Sequence, residues 1–153
     1  MESTREEQTS KKKRKRNSAL PKPEEMTKMC IYDECDVNVS SDLTRFSQLQ
    51  DLTLSECTLL NNQFPTSIFQ LTTLTTLYVT NVVVNQLLPD TFDTLPHLVY
   101  LHMSNMGIIA IPSSVIKCIN LKGIDMHGNA ITAIPDDLHL LPKLSMLQLN
   151  ENA

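Results

Sequence analysis

One apolar pattern returns along most of this 153-residue chain, at intervals of 23, 25, 24, 23 and 23 residues. The clearest copy runs Leu121, Ile124, Met126, Asn129, Ile131, Ile134, Pro135, Leu138, Leu141. The next opens at Leu144 and continues through Leu147, Leu149 and Asn152. Upstream copies open at Leu98 (Leu101, Met103, Met106), Leu74 (Leu77, Val79, Val82) and Leu49 (Leu52, Leu54, Cys57). A degenerate first copy opens at Met26, with Met29, Ile31, Val39, Leu43 and Phe46. A unit this short cannot enclose a core alone. Its apolar face is buried only when neighbouring units stack on it. The fourth and sixth positions of each copy, two residues apart, predict a short strand with one face inward. The prolines that follow (Pro65, Pro89, Pro112, Pro135) predict the opening of a short helix or 3₁₀ turn, where the missing N–H does no harm.

The recurring L-x-x-L-x-L-x-x-N/C-x-L stretch resembles the leucine-rich repeat family, and the resemblance covers residues 26–153. The tail of each copy, as in Ile134-Pro135-Asp136-Asp137-Leu138, is similar to the 23-residue class found in intracellular scaffolds. The resemblance implies an α/β right-handed solenoid over residues 25–153, a horseshoe arc of about five and a half repeats. A concave parallel sheet should face short convex helices or 3₁₀ turns. It further implies a scaffold or adaptor in intracellular signalling, or a recognition subunit, that binds proteins through the concave face without catalysis. The motif's asparagine is expected to bond buried loop backbone. Asn129 and Asn152 keep it, and Cys57 is an allowed substitute, whereas Glu34, Val82 and Met106 depart from it. A valine cannot supply such bonds, so loose turns are expected at 82 and 106. The last copy stops at Ala153 before its convex segment, which leaves a terminal strand edge. The expectation is a fragment, a truncated product, or a dimer through that end.

Charge is unevenly placed. Residues 1–28 carry nine Lys/Arg against five Glu, and residues 29–153 four Lys/Arg against twelve Asp/Glu, a basic head on an acidic body. Residues 1–24 are too polar to offset their ordering entropy and are expected to be disordered. The run Lys11, Lys12, Lys13, Arg14, Lys15, Arg16 resembles a monopartite nuclear-import signal of the viral large T antigen type. An import receptor is the corresponding partner. An anionic membrane surface, RNA, a merely solubilising tail and a fold-back onto the acidic first repeats are the alternatives. A cytoplasmic protein with nuclear access follows from this reading, and a nuclear or nucleic-acid-associated factor acting through the head is the second functional class. No apolar run approaches the ~18 residues of a membrane span. The four cysteines lack metal-ligand spacing and are read as reduced thiols. With 3 Gly in all, there is no phosphate-cradling loop, so no nucleotide cofactor or small-molecule substrate is expected.

Positions three, five and seven of each copy should line the sheet's open face. In a parallel register, like positions on adjacent strands lie ~4.8 Å apart. Position five gives Thr53, Tyr78, His102 and Asp125 in succession, and Tyr100 and His127 sit two residues away on the same face. Tyr78, Tyr100, His102, Asp125 and His127 are therefore the candidate protein-binding residues, because Tyr and His combine contact area with polar tips. Pointing away from the core, they should be removable at a cost within ~0.5 kcal/mol. His102 beside Asp125 suggests pH sensitivity near neutrality, through an imidazolium–carboxylate pair. His102, Asp125 and His127 are also the ligand types of a metal site, or half a catalytic dyad. The open surface, the lack of a neighbouring nucleophile and a spacing dictated by the repeat favour neither, so no catalytic residue and no metal are expected. His97 and His139 fall on convex positions and are read as inert.

Overall fold

A computed structural model describes residues 22–32, 36–37, 43–84 and 88–153. Six strands form one parallel sheet: β1 (Lys28–Tyr32), β3 (Asp51–Ser55), β5 (Thr76–Thr80), β6 (Tyr100–Ser104), β7 (Gly123–Asp125) and β8 (Met146–Gln148). They lie side by side in chain order, one per repeat. A second pair, β2 (Asp36–Val37) and β4 (Thr58–Leu59), is also parallel. The register matches like positions throughout, as in Leu52 opposite Leu77, Leu77 opposite Leu101, and Leu101 opposite Ile124. The chain returns between strands through short 3₁₀ turns. Three of these, Thr66–Gln70, Ser113–Lys117 and Asp136–Leu140, follow directly on Pro65, Pro112 and Pro135. The basic run 11–16 and residues 1–21 lie outside the described residues, and a 3₁₀ turn at Pro23–Glu25 precedes β1.

The repeat's inward positions make one continuous core. Leu52, Leu54, Leu77, Val79, Leu101, Met103, Ile124 and Met126 are all buried, as are Phe64, Ile68, Phe92 and Val115 beneath the turns. Phe69 packs edge-on against Phe92, with ring centroids 5.0 Å apart. Polar bonds run from repeat to repeat across this core. Asp90 accepts from the Ser114 N–H at 2.6 Å and from the Ser113 hydroxyl at 2.8 Å, and the Phe92 N–H donates to Ser114 Oγ at 2.9 Å. Neither Cys57 nor Cys118 is in a disulfide. Burial, with Asp93 nearby, pushes the Cys118 thiol up to about 11. In the terminal strand, Met146 and Leu147 are exposed, as are Ile134 and Leu140.

The turns correct one expectation and add one feature that the repeat motif does not specify. The eighth position adopts positive φ in the five repeats where it is described: Glu56 at 56°, Asn81 at 55°, Asn105 at 55°, Gly128 at 66° and Glu151 at 60°. This left-handed kink directly follows β3, β5 and β6 and comes three residues past β7 and β8, and only the Asn and Gly copies hint at it. Nor is the turn at Met106 loose. Met106 lacks the motif's amide, yet its own N–H donates to Asn129 Oδ1 at 3.0 Å, and the Ile108 N–H donates to the same oxygen at 3.1 Å. Asn129 also donates to the carbonyls of Met103, Met126 and His127. The asparagine of one repeat thus fastens the turn of the repeat before it. Asn152 repeats the device, accepting from the Ile131 N–H at 2.9 Å. Val82 is fully buried, and the Val84 N–H donates to the Met106 carbonyl at 3.2 Å.

Candidate functional site

Strands β5, β6 and β7 bring four of the five candidate residues together. The register sets Tyr78 opposite His102 and His102 opposite Asp125. The rings of Tyr78 and His102 stack, 4.0 Å between centroids and 8° from parallel. His102 Nδ1 lies 3.0 Å from Asp125 Oδ2, and its other ring nitrogen, Nε2, lies 2.9 Å from Ser104 Oγ. His127, just past β7, turns back so that its Nδ1 is 2.8 Å from Asp125 Oδ1, while its backbone N–H donates to that oxygen at 3.1 Å. One carboxylate therefore receives both imidazoles, one on each oxygen. The imidazoles are edge to face at 5.7 Å.

Tyr100 does not join this network. It stands two residues earlier on β6 and is 47% exposed. Gly123 opposite it makes room: a Cβ there would come within 3.0 Å of Tyr100 Cδ1 and 2.8 Å of Met146 Cε. The absence of a side chain on β7 lets Tyr100 and Met146 close over that strand.

Burial within the cluster is deeper than the position pattern suggests. Asp125 is only 7% exposed, and Ser104 and Thr80, at a position expected to line the surface, are buried. Ser104 Oγ and Thr80 Oγ1 are hydrogen-bonded at 2.8 Å, so these two hydroxyls satisfy each other beneath the rings. They are the residues that the sequence reading missed. Nothing in a Ser or Thr at strand position seven separates a buried pair from an exposed one. A cost within ~0.5 kcal/mol is still the expectation for exposed Tyr100. It does not hold for Asp125, whose removal would strand two imidazole donors and a backbone N–H.

The electrostatics also differ from the expected imidazolium pair. Burial pushes the His102 imidazole below its ordinary value of 6.5, and Asp125 offsets this only in part. For Asp125, burial opposes the charge, but the hydrogen bonds from the His127 side chain and backbone, with His102 nearby, hold the carboxyl below its ordinary 3.8. The site thus favours neutral His102 beside an ionised Asp125. Unfolded His102 takes up a proton near 6.5 while the folded residue resists it. This contribution to stability is full above pH 6.5 and is lost as pH falls through the lower folded value. Asp125 adds a second loss of the same sign in more acidic solution. The urea midpoint should be flat above neutrality and fall on acidification below 6.5, with a shallower fall in His102→Gln. A midpoint that rises on acidification through this range would show that His102 is paired as a cation.

A groove of about 560 Å³, lined by Gln50, Thr73, Thr75, His97, Asn120 and Lys122, lies at the entering ends of the strands, away from this cluster. His97 and His139 are exposed and outside the site, and His139 Nδ1 is engaged locally by the Asp136 carbonyl. Among the described residues, no helix is long and apolar enough to cross a membrane.

No family model and no curated protein sequence matches the chain. Solved structures do. The chain is similar to the LRR protein LIC12759 of Leptospira interrogans, at 29% identity and a TM-score of 0.60, over 71% of this chain and 27% of that one. It is similar to the LRR ectodomain of the receptor kinase SOBIR1 from Arabidopsis thaliana, at 23% identity and a TM-score of 0.61, over 70% of this chain and 58% of that one. A third likeness is to the LRR ectodomain of GASSHO1/SCHENGEN3 from Arabidopsis thaliana, solved in complex with CASPARIAN STRIP INTEGRITY FACTOR 2. It stands at 24% identity and a TM-score of 0.52, over 71% of this chain and 13% of that one. The chain therefore spans less than two thirds of each of these solved chains. By repeat period, sheet topology and structural likeness, the chain has the leucine-rich repeat fold.

Proposed function

We propose that the chain is a protein-binding module whose working surface is the open face of the sheet, around Tyr78, Tyr100, His102, Asp125 and His127. The observation that carries this is the ordered ring cluster on β5 to β7. Tyr78 and His102 are stacked, His102 is held by Ser104, and Tyr100 stands exposed beside them. Rings already fixed in place lose little freedom on binding, and such residues supply most of the energy in protein interfaces. The complex formed by the GASSHO1/SCHENGEN3 ectodomain is support by analogy of fold. An intracellular scaffold or adaptor role belongs to the same proposal. It is supported by the scatter of Cys30, Cys57 and Cys118 over separate repeats, none of them in a disulfide.

The test is a pair of single substitutions read against a captured partner. Tyr100→Ala should weaken binding by about 30-fold, the equivalent of losing ~2 kcal/mol at an aromatic anchor, with the melting curve nearly unchanged. Ile119→Ala, off the sheet and exposed, should bind as the unaltered protein does. Equal binding by Tyr100→Ala would move the working surface away from this face.

A further inference from the structure

We propose that His102, Asp125 and His127 form a site for one divalent transition-metal ion, with zinc as the best-matched class, that leaves part of the coordination shell open. The three residues offer two imidazoles and one carboxylate, the ligand set that borderline first-row ions take when three protein groups hold them. One ligand atom from each lies within 4.8 Å of the others, and no other described His, Cys, Asp or Glu residues form such a group. Spacing in the repeat brings the residues near one another. The side-chain orientations go further, because both Nδ1 atoms are aimed at Asp125, at 3.0 and 2.8 Å. Two proton donors converging on one anion mark the place where a cation would replace them.

The surroundings match what a bound ion needs. Metal-bound imidazoles generally donate their second N–H to an outer partner that fixes the ring. For His102 that partner is in place: Nε2 is 2.9 Å from Ser104 Oγ, which rests on Thr80 Oγ1 at 2.8 Å. Tyr78 holds the same ring flat against its face. Without metal, each Nδ1–H donates to Asp125, and the Ser104 hydroxyl donates to Nε2 of His102. With metal, both Nδ1 lone pairs face the ion and each ring proton moves to Nε2. His102 then donates to Ser104 Oγ, and the Ser104 hydroxyl turns to Thr80. The proton that leaves each Nδ1 is kept on Nε2 of the same ring, so the exchange balances without releasing one. The ion can enter from solvent, because the His127 and His102 side chains keep 31% and 19% of their surface exposed.

The inference does not depend on any protein partner, so it is tested on the full chain alone, by titration with Co²⁺ and then Zn²⁺. The expected result is one equivalent of Co²⁺ with a visible d–d band that Zn²⁺ displaces. His127→Gln and His102→Gln should each lower Co²⁺ affinity beyond the ~10–100-fold typical of losing an outer-shell partner, and Ser104→Ala should fall within that range. His139→Gln should bind as the unaltered chain does. Circular dichroism identifies variants that are folded. Partly exposed His127 makes His127→Gln the decisive variant, because a change at buried Asp125 could disturb the fold. Absence of a stoichiometric band in the unaltered chain, or its persistence in folded His127→Gln, would overturn the proposal.

Discussion

Replacing Asn129 with Ala should cost about 2–5 kcal/mol of unfolding free energy, more than any surface substitution in the protein. This one side chain accepts from the N–H groups of Met106 and Ile108 and donates to the carbonyls of Met103, Met126 and His127. Alanine would take this acceptor from the Met106 and Ile108 N–H groups, at about 1–3 kcal/mol for each one that water cannot reach, while the Met126 and His127 carbonyls keep Asn152 Nδ2 and the Asn105 N–H. Asn129→Asp keeps the oxygens that accept from the two N–H groups and loses the donors. Its cost should fall between zero and that of alanine. Urea unfolding of the three proteins checks the order. A loss below ~1 kcal/mol for Asn129→Ala would mean that water or backbone shifts replace the lost bonds.

Leu101→Ala should cost a similar ~2–5 kcal/mol. Leu101 is 1% exposed and lies in register between Leu77 and Ile124, so truncation opens a cavity in the middle of the stack. Leu147 holds the same place in its own repeat but is 43% exposed on the terminal strand. Leu147→Ala should therefore cost well under ~1 kcal/mol. The contrast isolates stacking from residue type, because both changes delete the same atoms. Equal losses at the two positions would show that core burial by neighbouring repeats does not set stability here.

The stack was legible in the sequence because two independent periods agree. Alternation places Leu52 and Leu54, or Leu77 and Val79, on one side of a strand, and the longer period aligns them between strands. Other features depend on what lies one repeat away. The bond between Asn129 and the Met106 turn was missed because the motif was read within each copy, whereas its amide acts on the previous copy. Position eight needs positive φ, yet two copies place Glu there, a residue that carries no such signal. The candidate cluster was legible as neighbouring positions, since register alone sets His102 opposite Asp125. Its depth was not. An aspartate on an outward position reads as exposed. Asp125 is buried because two imidazoles and a backbone N–H replace its water, and the hydrogen-bonded Ser104 and Thr80 hydroxyls close the floor beneath.

The proposed working surface is the open face of the sheet. The most direct measurement is photo-crosslinking in cell extract, with a photoreactive phenylalanine derivative placed at position 100 in one protein and at position 119 in another. Both positions are exposed, at 47% and 60%, so reach is not the variable. The expected result is a discrete adduct from position 100, the same partner on repetition, and none from position 119. An adduct from position 119 with none from position 100 would contradict it.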